Sequence, residues 1–503
     1  MTSGRPPSRP SFNQTGGDAE AAQVVDVDVL HLRLPCRCFQ VSYKVAEPGK
    51  FSLTTEFLLR LLRFADGLKE EAVAEFFGFV EDEARFVIDH AERFGYVARL
   101  GGRICLTEAG NNLFNVGDGE PALFEVQTKR DRFDFDLIAF APAERQQFVS
   151  PFEFELPELP LQSVQQAANA SGRVGSSLKR YFREFQFKQS RSRSENQLLY
   201  TVDDVQPEKR FSMIVPMTIG VRSDSPSLPE VNLHSWKTGV ELEDRSAVVQ
   251  SCASIVRDIR VSGGGLTHKA AQCLANCAPE QVSRFIREQG FDPEAYFRAT
   301  VRQIGELRSD RPTVRVIGNI WTEANRIRLA SALRSAGDRG LKPPTMVLWL
   351  RPSLPFWGMT ARLPETLEAV VKHFAPADGE QRLPLRSALI SDEDWPRLFT
   401  KAFNAIVDVP AHRLPQGLEV FLVPGRLAFV LVHTPIGIDE GFPIALGVAS
   451  FDLKVVERVH AVVTDILSGA FSESLHCDWA TDHLLDELDA ALDFSSSIEP
   501  KGQ

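Results

Sequence analysis

The residues whose types and spacing could support chemistry fall into a few groups. Cys273 and Cys277 stand one helical turn apart, with His268 and Cys252 near them in the chain. Thiolates and an imidazole are zinc ligands, but a structural zinc needs four converging nitrogen or sulfur donors, usually in paired short spacings. One CxxxC and a single histidine fall short of that, and cysteines on the apolar face of a helix are ordinary core residues. Gly263-Gly264-Gly265 lacks the lysine and Ser/Thr spacing of a phosphate-binding loop, and no GxGxxG follows a strand. The triplet reads as a hinge or turn. No GxSxG marks a hydrolase elbow, and the 10 histidines are scattered without a partner at motif spacing. This inventory predicts no catalytic residue, no metal and no cofactor.

The exception is a basic segment. Arg173, Lys179, Arg180, Arg183, Lys188, Arg191 and Arg193 are opposed by Glu184 alone, and Tyr181, Phe182, Phe185 and Phe187 are interleaved with them. If 176–187 is a helix, Lys179 and Arg183 share one face while Tyr181 and Phe185 share another. Cations beside aromatic rings suit a nucleic-acid strand, whose phosphates meet the charges and whose bases stack on the rings. The alternative is a solvated basic face pairing with acidic residues at 153–158, with the aromatics in the core.

Bulk composition limits what surrounds this segment. The chain has 503 residues, 43% hydrophobic and 24% charged, a net charge of −11 and a pI near 5.5. That length predicts about three folded domains. A small domain built only to grip nucleic acid is usually basic, so any such contact must come from a local patch. No apolar run approaches the ~20 residues of a membrane span. Residues 1–23 carry Arg5 and Arg9 without an apolar stretch behind them, unlike a signal peptide. Seven cysteines without a dense framework predict a reducing compartment, and the cytoplasm is the expected location. An excess of arginine over lysine matches a GC-rich bacterial genome.

The elements that must position the segment follow from periodicity. Residues 1–23, rich in Pro, Gly and Ser, predict a disordered tail. Val24 to Val45 alternates in places and predicts one or two strands, with a break where the apolar face shifts from Val29 to Leu30. Three helical stripes follow: Phe57, Leu58, Leu61 and Leu62; Val73, Phe76 and Phe77; Ala84, Val87, Ile88 and Ala91. Gly95 sits where a C-terminal cap belongs. Tyr96 to Leu100 and Arg103 to Leu106, joined by Gly101-Gly102, read as a hairpin, and Thr107 as the cap of a last short helix. Phe124 to Phe140 reads as strands and Pro151 to Pro160 as an extended linker. Further strands are expected between Leu198 and Val221, and helices at 245–258 and 266–306. From Pro312 strands and helices alternate: strands at 314–317, 346–350, 418–423, 427–433 and 443–448, helices at 322–336, 364–374, 391–407 and 453–468. That order predicts an α/β domain with a mixed sheet. The expected domain plan is a winged-helix domain at 24–118, a mixed α+β region at 119–260, a helical segment at 261–310, the α/β domain at 311–475 and an acidic tail at 476–503.

Two resemblances sharpen these expectations. Gly95-Tyr96-Val97 through Ile104-Cys105-Leu106-Thr107-Glu108-Ala109-Gly110 resembles the wing and the following LTxxG turn of bacterial winged-helix proteins. DNA-reading members of that family place the third helix in the major groove. Here that helix carries Glu81, Asp82, Glu83, Asp89 and Glu92 against Arg85 and Arg93, which a phosphate backbone repels. Only the wing, with Arg99 and Arg103, has the right sign. The module is therefore expected to serve protein contacts or internal packing, with a wing contact to DNA as the alternative. Near the other end, Val423 to Val432 followed by Leu446-Gly447-Val448-Ala449-Ser450-Phe451-Asp452 resembles the second half-motif of the phospholipase D superfamily. The family's histidine and lysine positions are filled here by Ala428 and Val430, and Ser450 stands where its turn has asparagine. The resemblance implies a scaffold without the imidazole nucleophile of a phospho-enzyme.

The sequence thus predicts an α/β multidomain protein: a non-enzymatic, nucleic-acid-associated subunit of a bacterial multiprotein complex, of the kind used in anti-phage defence or DNA processing. Its expected nucleic-acid contacts are Arg99, Arg103, Lys179, Arg180, Arg183, Lys188, Arg191 and Arg193, and its other expected partners are protein subunits, not a membrane. The alternatives are a phosphodiesterase or nuclease whose site is built from noncontiguous residues, and a winged-helix transcription regulator with a ligand-sensing domain.

Overall fold

The computed structural model describes residues 23–48, 53–114, 124–148, 150–161, 169–189, 198–236, 242–263, 266–288, 290–303, 305–336, 342–375, 384–468, 475–477 and 490–491. Residues 1–22 of the expected 1–23 tail, most of the acidic tail, and Arg191 and Arg193 lie outside them. The chain divides into two compact units, and neither is continuous in sequence. One comprises Met1–Leu34, Gln146–Pro160 and Ile214–Gln503, the other Pro35–Arg145 and Leu161–Met213. The sequential domain plan misses this because two strands of 25 residues each, Val24–Pro48 and Leu198–Arg222, contribute residues to both units. Local periodicity marks a strand but not the unit its two ends join. The break expected at Val29–Leu30 is absent from the first of them, which runs uninterrupted.

The first unit is built on an eight-stranded mixed sheet. Its order is Thr313–Ile317, Ile444–Ser450, Leu427–Thr434, Leu418–Val423, Met346–Leu350, Arg386–Ser391, Ala405–Asp408 and Leu475–Cys477. Met346–Leu350, Arg386–Ser391 and Ala405–Asp408 run parallel, and every other pairing is antiparallel. The central strands are buried along their whole length, as expected of a sheet covered on both faces. Three tryptophans anchor the core: Trp321, Trp349 and Trp357 lie with ring centroids 5.6–6.1 Å apart.

Some expectations in this unit are corrected. The helix expected at 391–407 is a short 3-10 turn, Arg397–Lys401, followed by the strand Ala405–Asp408. A buried parallel strand is a bare apolar run, indistinguishable by period from one turn of buried helix. The helix expected at 266–306 is interrupted: Leu266–Cys277 and Pro293–Arg302 flank the short turns Pro279–Val282 and Ser283–Phe285 and a two-residue hairpin pair. The linker at 151–160 opens with a helical turn, Pro151–Phe154. Phe152 and Leu156 then enter the tryptophan core, and the Arg33 amide and side chain bond Pro157 O at 2.8 Å and Leu156 O at 2.6 Å. It is a packed part of the fold.

The second unit holds the three expected helices, α1 (Leu53–Phe64), α2 (Glu70–Phe77) and α3 (Glu81–Arg93). They are followed by the hairpin Val97–Leu100/Arg103–Leu106, in register Val97 opposite Leu106 and Leu100 opposite Arg103. Gly101 and Gly102 both have positive φ, +59° and +75°, which a two-residue hairpin turn of this twist requires. Leu58, Leu62, Val73, Ile88, Ala91, Val97 and Ile104 form a core belonging to this module alone. In the same unit Cys36–Pro48 pairs antiparallel with Phe124–Asp136, and the helix Ala170–Gln189 packs on this pair.

Candidate nucleic-acid interface

The Ala170–Gln189 helix is amphipathic because its large apolar residues recur at three- and four-residue steps. Val174, Leu178, Tyr181, Phe182 and Phe185 are all buried. Phe182 meets Tyr43 edge to face at 5.8 Å between centroids, and Phe185 meets Phe133 and Phe135 at 4.9 and 5.2 Å. The packing therefore decides between the two readings of the aromatics: Tyr181, Phe182 and Phe185 are core residues and are not open for base stacking.

The cations take the opposite face. Arg173, Lys179, Arg180 and Arg183 are exposed. At ~1.5 Å rise per residue the stripe from Arg173 to Arg183 is ~15 Å long, about four phosphate steps of ~3.4 Å along one strand of B-form DNA. The Arg173 guanidinium lies 4.2 Å from the centroid of the Phe140 ring and that of Arg180 5.3 Å from the Tyr181 ring. Each ring meets the guanidinium itself in a cation–π contact, while both side chains stay exposed to solvent. Among the described residues Lys179 and Arg183 have no ion-pair partner. Lys188 belongs to the last turn of the helix backbone.

The two wing arginines separate. Arg99 binds three carboxylates: Glu70 and Asp89 at 2.5 Å each, and Glu92. Its guanidinium ties α2 and α3 to the hairpin, so the expected phosphate contact at Arg99 gives way to an internal clamp. Arg103 is exposed and donates to Gly67 O at 2.9 Å, leaving its remaining N–H groups outward. The LTxxG turn acquires a physical reason. Thr107 Oγ1 accepts from Gly110 N at 3.0 Å and donates to Gly95 O at 2.6 Å. A Cβ on Gly110 would stand 2.1 Å from the Tyr96 carbonyl oxygen, so only glycine fits this close approach.

In the first unit the positions compared with a phospholipase D half-motif are apolar and buried. Ala428 lies opposite Ser450 and Val430 opposite Val448 in adjoining strands. His433, on the same strand but five residues beyond Ala428 and so expected on its other face, has a partner on the next strand that the sequence does not reveal. His433 Nε2 and Glu419 Oε2 are 2.6 Å apart, and Trp349 Nε1 donates to Glu419 Oε1 at 2.9 Å. Trp321 Nε1 donates to Asp28 Oδ1 at 2.7 Å, and burial raises the Asp28 carboxyl above its usual range. The signal was a titratable residue in each of two apolar strands, but their register across the sheet is a tertiary fact. Glu419 is fully buried and His433 nearly so, so the pair satisfies itself inside the sheet and offers a substrate no access.

Two of the three candidate cysteines are core residues, and Cys273 is half-buried. Cys252 and Cys277 are buried, and burial pushes each thiol up to about 12. A cavity of about 650 Å³ in the first unit is lined by Asp26, Glu230, Glu243, His234 and Val24 among others. Its three carboxylates have the wrong sign for phosphate. Compared with known proteins, the chain matches no family model and no curated protein.

Proposed function

We propose that this protein is a non-enzymatic subunit of a bacterial nucleic-acid-directed complex, holding a phosphate backbone on the exposed face of the Ala170–Gln189 helix. The observation that carries this reading is the segregation of that helix: four outward cations on one face, five buried apolar side chains on the other. In a chain of net charge −11 such a stripe is a local field opposite to the global one, and it suits sequence-independent contact with phosphates. With the aromatics in the core, the grip is electrostatic, without base stacking. Arg103 adds one further cation on the wing. The helix-and-hairpin module, which we take to be a winged helix, serves protein contacts, because α3 is acidic where a DNA-reading helix is basic. The apolar residues at Ala428 and Val430 support a scaffolding role for the sheet. Anti-phage defence and DNA processing both use such part combinations, an analogy of parts only.

The test is retention of a labelled DNA duplex by the full chain across ~50 to ~200 mM salt. Four neutralised phosphates give a slope of log affinity on log salt of about −3.6. The combined variant Lys179→Glu, Arg180→Glu, Arg183→Glu is expected to abolish retention. Retention unchanged in that variant rejects the assignment, and metal-dependent cleavage of the duplex would replace it with a nuclease.

A further inference from the structure

The exposed face of α3 carries an unusual row of rings. Phe86 and His90 lie with centroids 6.4 Å apart and nearly parallel, His90 and Phe94 5.1 Å apart, and Phe94 and Tyr96 6.2 Å apart. The spacing is i, i+4, i+8 along one side of the helix, so the row runs ~12 Å, two helical turns. Phe86 is 70% exposed and Phe94 52%. Neither is needed by the module core, which Ala84, Val87, Ile88 and Ala91 supply from the other face. Large aromatics left in water in a contiguous row mark an interaction surface more often than scattered apolar residues do.

The charges around the row select the occupant. Five acidic residues stand against two basic ones in Glu81–Arg93. Arg99 binds Asp89 and Glu92 together with Glu70, one positive charge among three carboxylates, so this part of the helix stays negative, and further carboxylates stand in the first turn. Glu81 and Asp82 are exposed there, Asp82 in a surface ion pair with Arg85 at 3.5 Å, and Glu83 is committed to the Val80 amide at 3.2 Å. A phosphate backbone is repelled by this end of the row. A protein segment bringing lysine or arginine to it is attracted, and the ring faces of Phe86 and Phe94 accept both aliphatic side chains and cations.

We propose that the outer face of α3 docks a basic amphipathic segment of a partner protein, its apolar side chains on the Phe86–Phe94 row and its cations against Glu81 and Asp82. The inference rests on the protein-contact role given to this module above and names the chemistry of the partner. It does not depend on the phosphate grip. A helical segment fits, because apolar residues at i, i+4 and i+7 span ~10.5 Å, close to the ~12 Å of the row.

The probe is a fluorescent synthetic helix with leucine at those positions and lysine and arginine on its flanks, titrated against the full chain. A second peptide carries glutamate in place of every cation. The basic peptide is expected to bind and the acidic one not. Phe86→Ala with Phe94→Ala should weaken binding about tenfold or more, as truncation of aromatic anchors does. Glu81→Lys with Asp82→Lys should lose the basic peptide and gain the acidic one without touching a ring. No binding of the basic peptide, equal binding of both, or indifference to the phenylalanine variant overturns the proposal. DNA retention is measured on the same variants. Its loss in the phenylalanine variant would put nucleic acid on the row and also overturn it, whereas loss only in the Ala170–Gln189 variant leaves the proposal standing.

Discussion

Single residues in this protein are legible in type and illegible in partner. Arg99 and Arg103 look alike in the sequence, both basic and both on the hairpin, yet one closes a clamp on Glu70, Asp89 and Glu92 and the other faces outward. The difference is set by the hairpin register, which pairs Arg99 with Ile104 and Arg103 with Leu100 on the opposite face, and by α2 supplying Glu70 to Arg99, neither of which a charge count contains. His31 is a sharper case. Its Nδ1 lies 2.9 Å from Thr360 Oγ1, 329 residues away in the chain. Burial first, and the Arg362 guanidinium second, lower its pKa from 6.5 to about 4. The folded state therefore favours the neutral ring. A group depressed in this way contributes its full stability above its unfolded value, and the contribution is lost as pH falls toward the folded one. Stability is expected to drop by about 2.5 kcal/mol between pH 6.5 and pH 4 from this group. Urea unfolding across that interval measures it. His31→Gln keeps a polar partner for Thr360 and should flatten the profile; curves that stay parallel to wild type would remove His31 as the cause.

Elements were easier to read where a period exists to be read. The helix at 453–467, the strands at 418–423 and 427–434 and the hairpin at Gly101-Gly102 fall where periodicity and turn chemistry put them. The strand Ala405–Asp408 does not, because burial on both faces erases alternation and leaves a short run of Ala, Ile and Val. The Ala170–Gln189 helix shows what its period fixes. The spacing separated Lys179 and Arg183 from Tyr181 and Phe185, but only the sheet of Phe133 and Phe135 beneath shows which face is the core. A testable asymmetry follows. Phe185→Ala leaves a cavity against two phenylalanine rings and should cost about 3–5 kcal/mol. Lys179→Glu with Arg183→Glu changes only exposed groups and should stay within about 0.5 kcal/mol for each. Thermal unfolding of both variants reads the difference directly. Comparable losses would mean that the cationic face is packed, and the case for a phosphate surface there would fail with it.

At the scale of the whole molecule, the order of domains in the sequence is not the order of units in space. A boundary drawn at residue 118 looks natural, since the hairpin and its capped turn end just before it. Yet the strand residues Cys36–Pro48, ahead of the helices, pair with Phe124–Asp136 beyond that boundary, and the Ala170–Gln189 helix covers the same pair. A fragment of 24–118 therefore carries a long strand whose partner has been cut away, with Phe39, Val41 and Tyr43 stripped of cover. An unpaired apolar strand is a template for association. A fragment of 49–118 omits that strand and retains the complete core of Leu58, Leu62, Val73, Ile88, Val97 and Ile104. Near 70 residues a core of this size supports only ~3–5 kcal/mol, enough for a cooperative helical melt. The shorter fragment is accordingly expected to be monomeric and folded, and the longer one to aggregate. Sedimentation together with circular dichroism distinguishes them. A well-behaved 24–118 beside an unfolded 49–118 would mean that the strand belongs to the module, and that the helices and hairpin have no independent core.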